Sequence, residues 1–129
     1  MKKILSRENY GRKTPMKIAH YSEIEENRVQ DTNVSGVSKR VLISAKDNAP
    51  NFTMRLFHVE PGGYTYHHSH DFEHEIFVIE GEGQVVISGG SKTLKTGYTI
   101  FVEPGEVHQF KNTGKTRLSF LCLVPNRAA

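Results

Sequence analysis

The chain has 129 residues, of which 36% are hydrophobic and 24% are charged, and its formal net charge at pH 7 is +3. This length and composition are typical of one folded domain with a buried core, which excludes an intrinsically disordered protein. Because the lysines and arginines are scattered and no helix-turn-helix pattern is present, we expect no nucleic-acid partner.

The first part of the chain, residues 1–34, is polar and charged and has no clear hydrophobic period, so we interpret it as an N-terminal arm. Its start resembles a signal peptide, but Arg7 and Glu8 interrupt the apolar run. No later segment approaches the length of a membrane span. The lone Cys122 cannot form an internal disulfide. These features predict a cytoplasmic protein without a membrane partner.

After the arm, short segments rich in β-branched and aromatic residues alternate with turns that contain glycine or proline. This pattern is typical of an all-β sandwich or barrel. We predict one barrel domain over residues 35–125, followed by a C-terminal tail over residues 126–129. The predicted strands cover residues 37–45, 52–60, 65–70, 74–80, 84–88, 92–95, 99–102, 107–111 and 117–124.

Three histidines stand close together near the middle of the chain. His68 and His70 are two residues apart, so on a regular strand they would leave the same face as neighbours. A turn over residues 71–73 then returns the chain to His74, at the head of the apolar run 76–79. Imidazoles that converge in this way are typical ligands of a divalent metal ion.

A second segment downstream completes a recognisable pattern. Taken together, the two segments resemble the paired signature of the cupin superfamily, and the resemblance covers roughly residues 36–125. The first motif matches at Gly62, His68, His70 and Gly81. The second motif matches at Gly105, His108 and Asn112, with its proline displaced to Pro104. The resemblance implies a single-domain jelly-roll barrel, an all-β fold, with a metal ion in its lumen.

The glutamate position of the first motif is occupied by His74, six residues before Gly81. Glu75 is the rival, because the longer spacing that the motif allows would select it. Alternation places the two side chains on opposite faces of a strand, and we favour His74. The chain then resembles the small cupins that hold manganese with four histidines. The implied ligands are His68, His70, His74 and His108.

The type of metal ion is less constrained than its ligands. Imidazole nitrogens are compatible with Mn, Fe, Ni, Cu or Zn, and affinity alone would favour Cu or Zn over Mn. The family resemblance, rather than ligand chemistry, therefore favours manganese. The remaining histidines, His20, His58 and His67, lie outside both motifs, and we interpret them as surface or structural residues. For Asn112 we expect a hydrogen-bonding role in a turn.

Alternation along the strands suggests which residues form the wall of a substrate pocket. Phe110 shares a strand face with the predicted ligand two residues before it, and Phe120 and Cys122 share one face of the last strand. The opposite face, with Leu121 and Leu123, is also apolar, so alternation alone does not choose between them. A barrel with an apolar lumen favours Phe110, Phe120 and Cys122 as pocket residues.

Arg55 is a further candidate for the pocket. It shares a strand face with Phe57 and Val59. An inward Arg55 would bind an anionic group of a substrate, whereas an outward one would be an ordinary surface cation. The alternation does not separate these two interpretations.

Two classes of function are compatible with these residues. We predict an enzyme that uses the metal ion to oxidise or dioxygenate a small unsaturated or enolisable substrate. The alternatives are a non-catalytic cupin that binds a small molecule or metal, and a redox-neutral isomerase or lyase. Residues 41–43 form an apolar strand directly after the polar arm. This edge, together with the family resemblance, predicts a homodimer in which residues before about Ala45 cross to the partner.

Overall fold

The computed structural model describes residues 16–128, which form a nine-stranded antiparallel sheet and short 3-10 turns, with no α-helix in that range. The strands are β1 (Asn27–Arg28), β2 (Ser35–Ile43), β3 (Phe52–Tyr64), β4 (His74–Glu80), β5 (Glu82–Ile87), β6 (Gly90–Lys95), β7 (Thr99–Val102), β8 (His108–Lys111) and β9 (Leu118–Pro125). The 3-10 turns are Tyr21–Glu23, Ala45–Asp47 and Asn126–Ala128. The prediction of an all-β fold is confirmed.

The long strand β3 joins the two halves of the sheet. Its residues 52–59 pair with β9, and Tyr64 near its end pairs with Lys111 of β8. The strand order is β6-β5-β8-β3-β9-β4-β7, and β2 and then β1 extend along the other edge of β3. Because one strand contributes to both halves, the sheet curls around an interior. The concave side of this curled sheet holds the core and the site described below.

Sheet curvature decides which face of β9 is buried. Phe120 and Cys122 are 2% and 1% exposed, whereas Leu121 and Leu123 on the opposite face are only partly buried. The concave face receives neighbours from every strand of the curled sheet, and each Å² of apolar surface that it removes from water contributes about 25 cal/mol. The other buried members of this core include Val37, Val59, Ile76, Val78, Val85, Leu94, Val102, Phe110, Leu118 and Val124.

Most predicted strands match the observed ones within two residues at each end, but the predictions for residues 52–60 and 65–70 are wrong. β3 does not end before Pro61 but continues to Tyr64, because a register shift opposite Gly36 lets the ladder pass the proline, which has no N–H to donate. The predicted strand over residues 65–70 is not a regular strand. It contributes a single β-bridge, at His68, to the first residue of β8.

The part of the N-terminal arm that the structure describes, residues 16–34, packs onto the barrel of the same chain. Asn27 and Arg28 pair with Lys39 and Ser38 of β2. Val34 is 8% exposed and belongs to the core. Its apolar side chain is the part of this polar segment that is stabilised by removal from water. Residues 1–15 of the predicted arm lie outside the described residues.

The homodimer remains a prediction. We expect its interface at the outer edge of β2. Among the described residues β1 covers this edge only at Ser38 and Lys39, and the apolar Val41 and Ile43 are 38% and 40% exposed. Sheet edges of this kind are commonly covered by another chain. Light scattering at micromolar concentration is expected to give twice the mass of one chain. A monomer at that concentration would contradict the prediction.

Candidate metal centre

Backbone pairing between two loops gathers the predicted histidines at one end of the barrel interior. His74 begins β4 and His108 begins β8. His68 and His108 exchange backbone hydrogen bonds of 3.2 and 3.0 Å, and the amide of Gly105 donates to the carbonyl of His70 at 2.7 Å. The expectation that His68 and His70 leave one face of a regular strand is therefore wrong, because these residues do not form a regular strand. The loop pairing brings them together instead.

Three of the four predicted ligands form one group of ring nitrogens, and the fourth, His74, contacts that group through His70. Ring nitrogens of His68, His70 and His108 lie within 4.8 Å of one another. His74 joins them, because its Nε2 lies 2.6 Å from the Nε2 of His70. The rival residue Glu75 is exposed and points away from the barrel interior.

Hydrogen bonds orient two of these rings with Nε2 toward the centre. Nδ1 of His70 lies 2.9 Å from the carbonyl oxygen of Phe72, and Nδ1 of His108 lies 2.8 Å from that of Glu106. A carbonyl oxygen can only accept, so each Nδ1 must carry the proton. The Nε2 of each neutral ring then offers a bare lone pair, which is the form that ligates a metal ion.

The contacts of His74 indicate whether the site can accommodate a cation. Its Nδ1 lies 2.9 Å from Sγ of Cys122, and its Nε2 faces the bare Nε2 of His70 at 2.6 Å. When Nδ1 of His74 carries the proton, both facing Nε2 atoms offer a lone pair, and a cation between them would accept both. The donor set therefore fits a divalent ion held by imidazole nitrogens.

The surroundings of His68, His74 and His108 favour the neutral form of these three rings. Burial, and then the charge of neighbouring imidazoles, lowers the pKa of His74 to about 3 and that of His68 to about 4. Burial also lowers the pKa of His108. Metal binding requires the unprotonated ring, so near pH 7 the protein need not lose protons from these residues to bind an ion.

These shifts predict how the stability of the metal-free protein depends on pH. Because the folded-state pKa of His74 lies below the unfolded value near 6.5, the unfolded chain binds more protons as the pH falls. The free energy of unfolding should be fully maintained above pH 6.5 and should decrease progressively toward pH 4. Urea unfolding between pH 8 and pH 4, on protein freed of metal, measures this decrease.

A matched variant measures how much His74 contributes to the decrease in unfolding free energy at low pH. His74→Asn keeps a polar side chain that can hydrogen-bond Cys122 but has no group that titrates in this range. The acid-induced decrease should be smaller in this variant than in the unmodified chain. An equal decrease in both proteins would assign the effect to other residues.

A cavity of about 270 Å³ opens beside the histidines. The predicted pocket residues all line it, namely Arg55, Phe110, Phe120 and Cys122. Burial raises the pKa of the Cys122 thiol even though Arg55 lies beside it, so the thiol adds no negative charge to the cavity near pH 7. The rings of Phe110 and Phe120 lie with their centroids 5.0 Å apart and form an apolar wall.

Sequence reasoning missed several lining residues. These are Val29, Lys39, Phe57, Thr65, Tyr66, Phe72, Ile76 and Ala128. Lys39 carried a usable signal, because it shares a strand face with the apolar Val37 and Val41 of β2. Phe72 carried none, since it lies in a turn, where alternation has no meaning. Its ring stacks on His70 at a centroid distance of 3.9 Å.

The other singled-out residues lie outside the cluster. His58 is buried on the convex side of the sheet, with Nδ1 2.7 Å from Oγ of Ser119. His20 and His67 are exposed. The side-chain amide of Asn112 donates to two backbone carbonyls at 2.8 Å and its oxygen accepts from the next turn, which is the hydrogen-bonding role that we expected.

The chain is similar to a known protein family and to several known proteins. The profile of the cupin domain matches residues 55–124. An oxalate-binding protein from Thermotoga maritima is 37% identical over 65 residues, which are 50% of this chain and 54% of that protein. A 1-methylthio-D-xylulose 5-phosphate methylsulfurylase from Rhodospirillum rubrum is 30% identical over 89 residues, which are 68% of this chain and 55% of that protein. The chain thus spans about half the length of these curated relatives.

Solved structures give a similar result. The polyketide cyclase RemF from Streptomyces resistomycificus has a TM-score of 0.82 and 32% identity, over 86% of this chain and 80% of that chain. A predicted oxalate decarboxylase from Thermotoga maritima has a TM-score of 0.73 and 29% identity, over 84% of this chain and 97% of that chain. Residues 16–128 contain no helix that is long and apolar enough to cross a membrane.

Proposed function

The chain belongs to the cupin family and has its jelly-roll barrel fold, and from this premise we propose that it is a metal-dependent enzyme. The proposed cofactor is a divalent ion held by the four histidines, manganese by family resemblance. The proposed reaction is the oxidation or dioxygenation of a small unsaturated or enolisable organic substrate. The observation that carries the proposal is the meeting of imidazole nitrogens beside an apolar cavity.

The protein would position the substrate and keep water away from it. A bound divalent ion would supply Lewis-acid chemistry to an oxygen-bearing substrate. Phe110, Phe120 and Ile76 are at most 4% exposed and line the cavity. Their apolar surfaces hold little water, and they strengthen the electrostatic interactions between a bound substrate and the polar groups of the site.

The charges around the cavity favour a substrate that brings its own negative charge. Among the described residues that line it, none is an aspartate or a glutamate. Among the described residues, no carboxylate therefore faces the cavity as a general base, in contrast to many proton-transfer enzymes. An enolate or catecholate would supply the negative charge, which supports oxidation at the metal over a proton-shuttling isomerisation.

Two alternatives each have a specific observation in their favour. The likeness to a polyketide cyclase at 32% identity favours a redox-neutral reaction at the same site. The likeness to an oxalate-binding protein at 37% identity favours binding without turnover. Cupins support all three functions on one fold, so the choice depends on the site and not on the fold.

A substrate panel tests the proposal directly. Protein loaded with manganese and protein freed of metal are each given diketones, catechols and enediols in the presence of oxygen. Oxygen uptake and mass spectrometry of the products should show oxidation only with the loaded protein, and His108→Ala should abolish it. A product of isomerisation or elimination, formed without oxygen uptake, would favour the redox-neutral reaction. No product from any substrate would favour the binding protein.

A further inference from the structure

Two cationic side chains line the same cavity as the histidines. They are Lys39 of β2 and Arg55 of β3. In the antiparallel pairing Lys39 lies opposite Phe57, two residues from Arg55, so the two cations are diagonal neighbours on the inner face of the sheet. The guanidinium of Arg55 lies over the ring of Phe57, 4.9 Å from its centroid. Both positions therefore present positive charge to the cavity.

Neither cation has an acidic partner among residues 16–128. The ion pairs in this range involve other lysines and arginines. Nε of Arg55 is buried and makes no hydrogen bond, and a terminal nitrogen of the same guanidinium donates to Sγ of Cys122 at 3.2 Å. A guanidinium without an anionic acceptor in a partly buried place is costly, and an anion in the cavity would remove that cost.

The two cations also repel each other. Burial, and then the positive charge of Arg55, lowers the pKa of Lys39. Placing like charges beside a cavity without a carboxylate lowers stability in the absence of a ligand. The same arrangement is suited to a ligand that carries an oxyanion, because both cations can contact it at once.

We propose that Lys39 and Arg55 form an anion-binding pair, and that the substrate is a small organic molecule with a carboxylate or a phosphate at the end away from the histidines. This inference rests on the proposed function and specifies its substrate class. Contacts of 3.2 and 2.9 Å link Arg55 through Cys122 to His74, so one small molecule can reach both the cationic pair and the imidazole cluster.

The size of the cavity limits the substrate. A volume of about 270 Å³ corresponds to about nine water molecules at their liquid volume. A monocyclic aromatic acid, a short keto acid or a small phosphate ester fits this space. Its enolisable or hydroxylated end would face the histidines, and its oxyanion would face Lys39 and Arg55.

Calorimetric titration of the 129-residue chain, both loaded with manganese and freed of metal without residual chelator, tests the anion-binding pair. The probes are benzoate, phenyl phosphate and the neutral benzyl alcohol. We expect at least one of the two anions to bind about tenfold or more tightly than the alcohol, in both forms of the protein. Lys39→Met and Arg55→Met should each weaken anion binding by about tenfold or more. Arg55→Lys should retain part of the affinity, because it keeps the charge.

Lys46→Met is the matched control. Lys46 is exposed and lines a second groove that Lys39 and Arg55 also line, but it does not line the metal cavity. For an anion bound in the metal cavity, its loss should change the affinity by less than about twofold. Thermal unfolding of each variant verifies that it is folded. Stronger binding of benzoate or of phenyl phosphate identifies the carboxylate or the phosphate as the preferred group. If neither anion binds better than benzyl alcohol, or if Lys46→Met weakens binding as much as Lys39→Met, the proposal is wrong.

The design separates this proposal from the proposed function. Catechol, which carries no carboxylate, should bind the manganese-loaded protein through the metal with equal affinity in Lys39→Met and in the unmodified chain. Anion binding to metal-free protein, together with failure to retain metal, would overturn the proposed function and leave the anion-binding pair intact. Catechol binding without any anion preference would overturn the anion-binding pair and leave the proposed function intact.

Discussion

Replacement of His74 by alanine is expected to lower the affinity for the metal ion by about 100-fold or more. The Nε2 of His74 faces that of His70 at 2.6 Å, and Cys122 holds the other ring nitrogen in place. Loss of a residue that merely orients a ligand costs about 10–100-fold in metal affinity, so loss of the ligand itself should cost at least as much. Elemental analysis after exhaustive dialysis measures the bound metal.

Glu75→Ala is the matched control for this prediction. The carboxylate of Glu75 is exposed on the convex side of the sheet, and its removal should leave the bound metal unchanged. His67→Ala adds a second control, since it deletes an exposed imidazole outside the cluster. Loss of metal in Glu75→Ala with retention in His74→Ala would show that the glutamate is the ligand.

Gly81→Ala is expected to lower the free energy of unfolding by about 3 kcal/mol or more. Gly81 connects β4 to β5 with a φ of +82°, where a side chain is strained. A Cβ at this position would also lie 2.3 Å from the carbonyl oxygen of Arg117 and 2.9 Å from Cα of Leu118. The backbone of β9 would have to move, and β9 carries the pocket wall. Urea unfolding measures the loss.

Gly89→Ala separates the close approach from the backbone conformation. Gly89 has nearly the same φ, +85°, but a Cβ there would meet nothing within 4 Å. Its replacement should cost about 1–2 kcal/mol, from the left-handed conformation alone. Equal losses in the two variants would mean that the contact with Arg117 does not contribute to the requirement for glycine at position 81.

The candidate ligands were predictable because local sequence carries the information. The spacing of His68, His70 and His108 within two motifs depends on short-range turns, and these turns require particular residues such as Gly81. The choice of His74 over Glu75 also followed from spacing, and the structure places these two side chains on the sides expected from alternation. The route by which His68 and His70 meet was not predictable, since it depends on a bridge from His68 to the first residue of β8, about 40 residues away.

The pocket residues were likewise predictable only in part. Alternation placed Phe120 and Cys122 on one face and Leu121 on the other, but both faces are apolar in sequence, and only the direction of sheet curvature buries one of them. Lys39 was missed because its strand followed a polar arm that gave no reason to expect a lumen there. Its inward position results from pairing between β2 and β3.

The sequence by itself determined the all-β class, the family and the residue types that can bind a metal ion, because periodicity and motif spacing are properties of short segments. Only the tertiary structure decided that Nε2 of His70 and of His108 faces the centre and that Lys39 joins Arg55 at the cavity. Ring orientation depends on acceptors supplied by loops, and the pairing of the two cations depends on strand register. Both are set by contacts between segments distant in sequence, which no local pattern encodes.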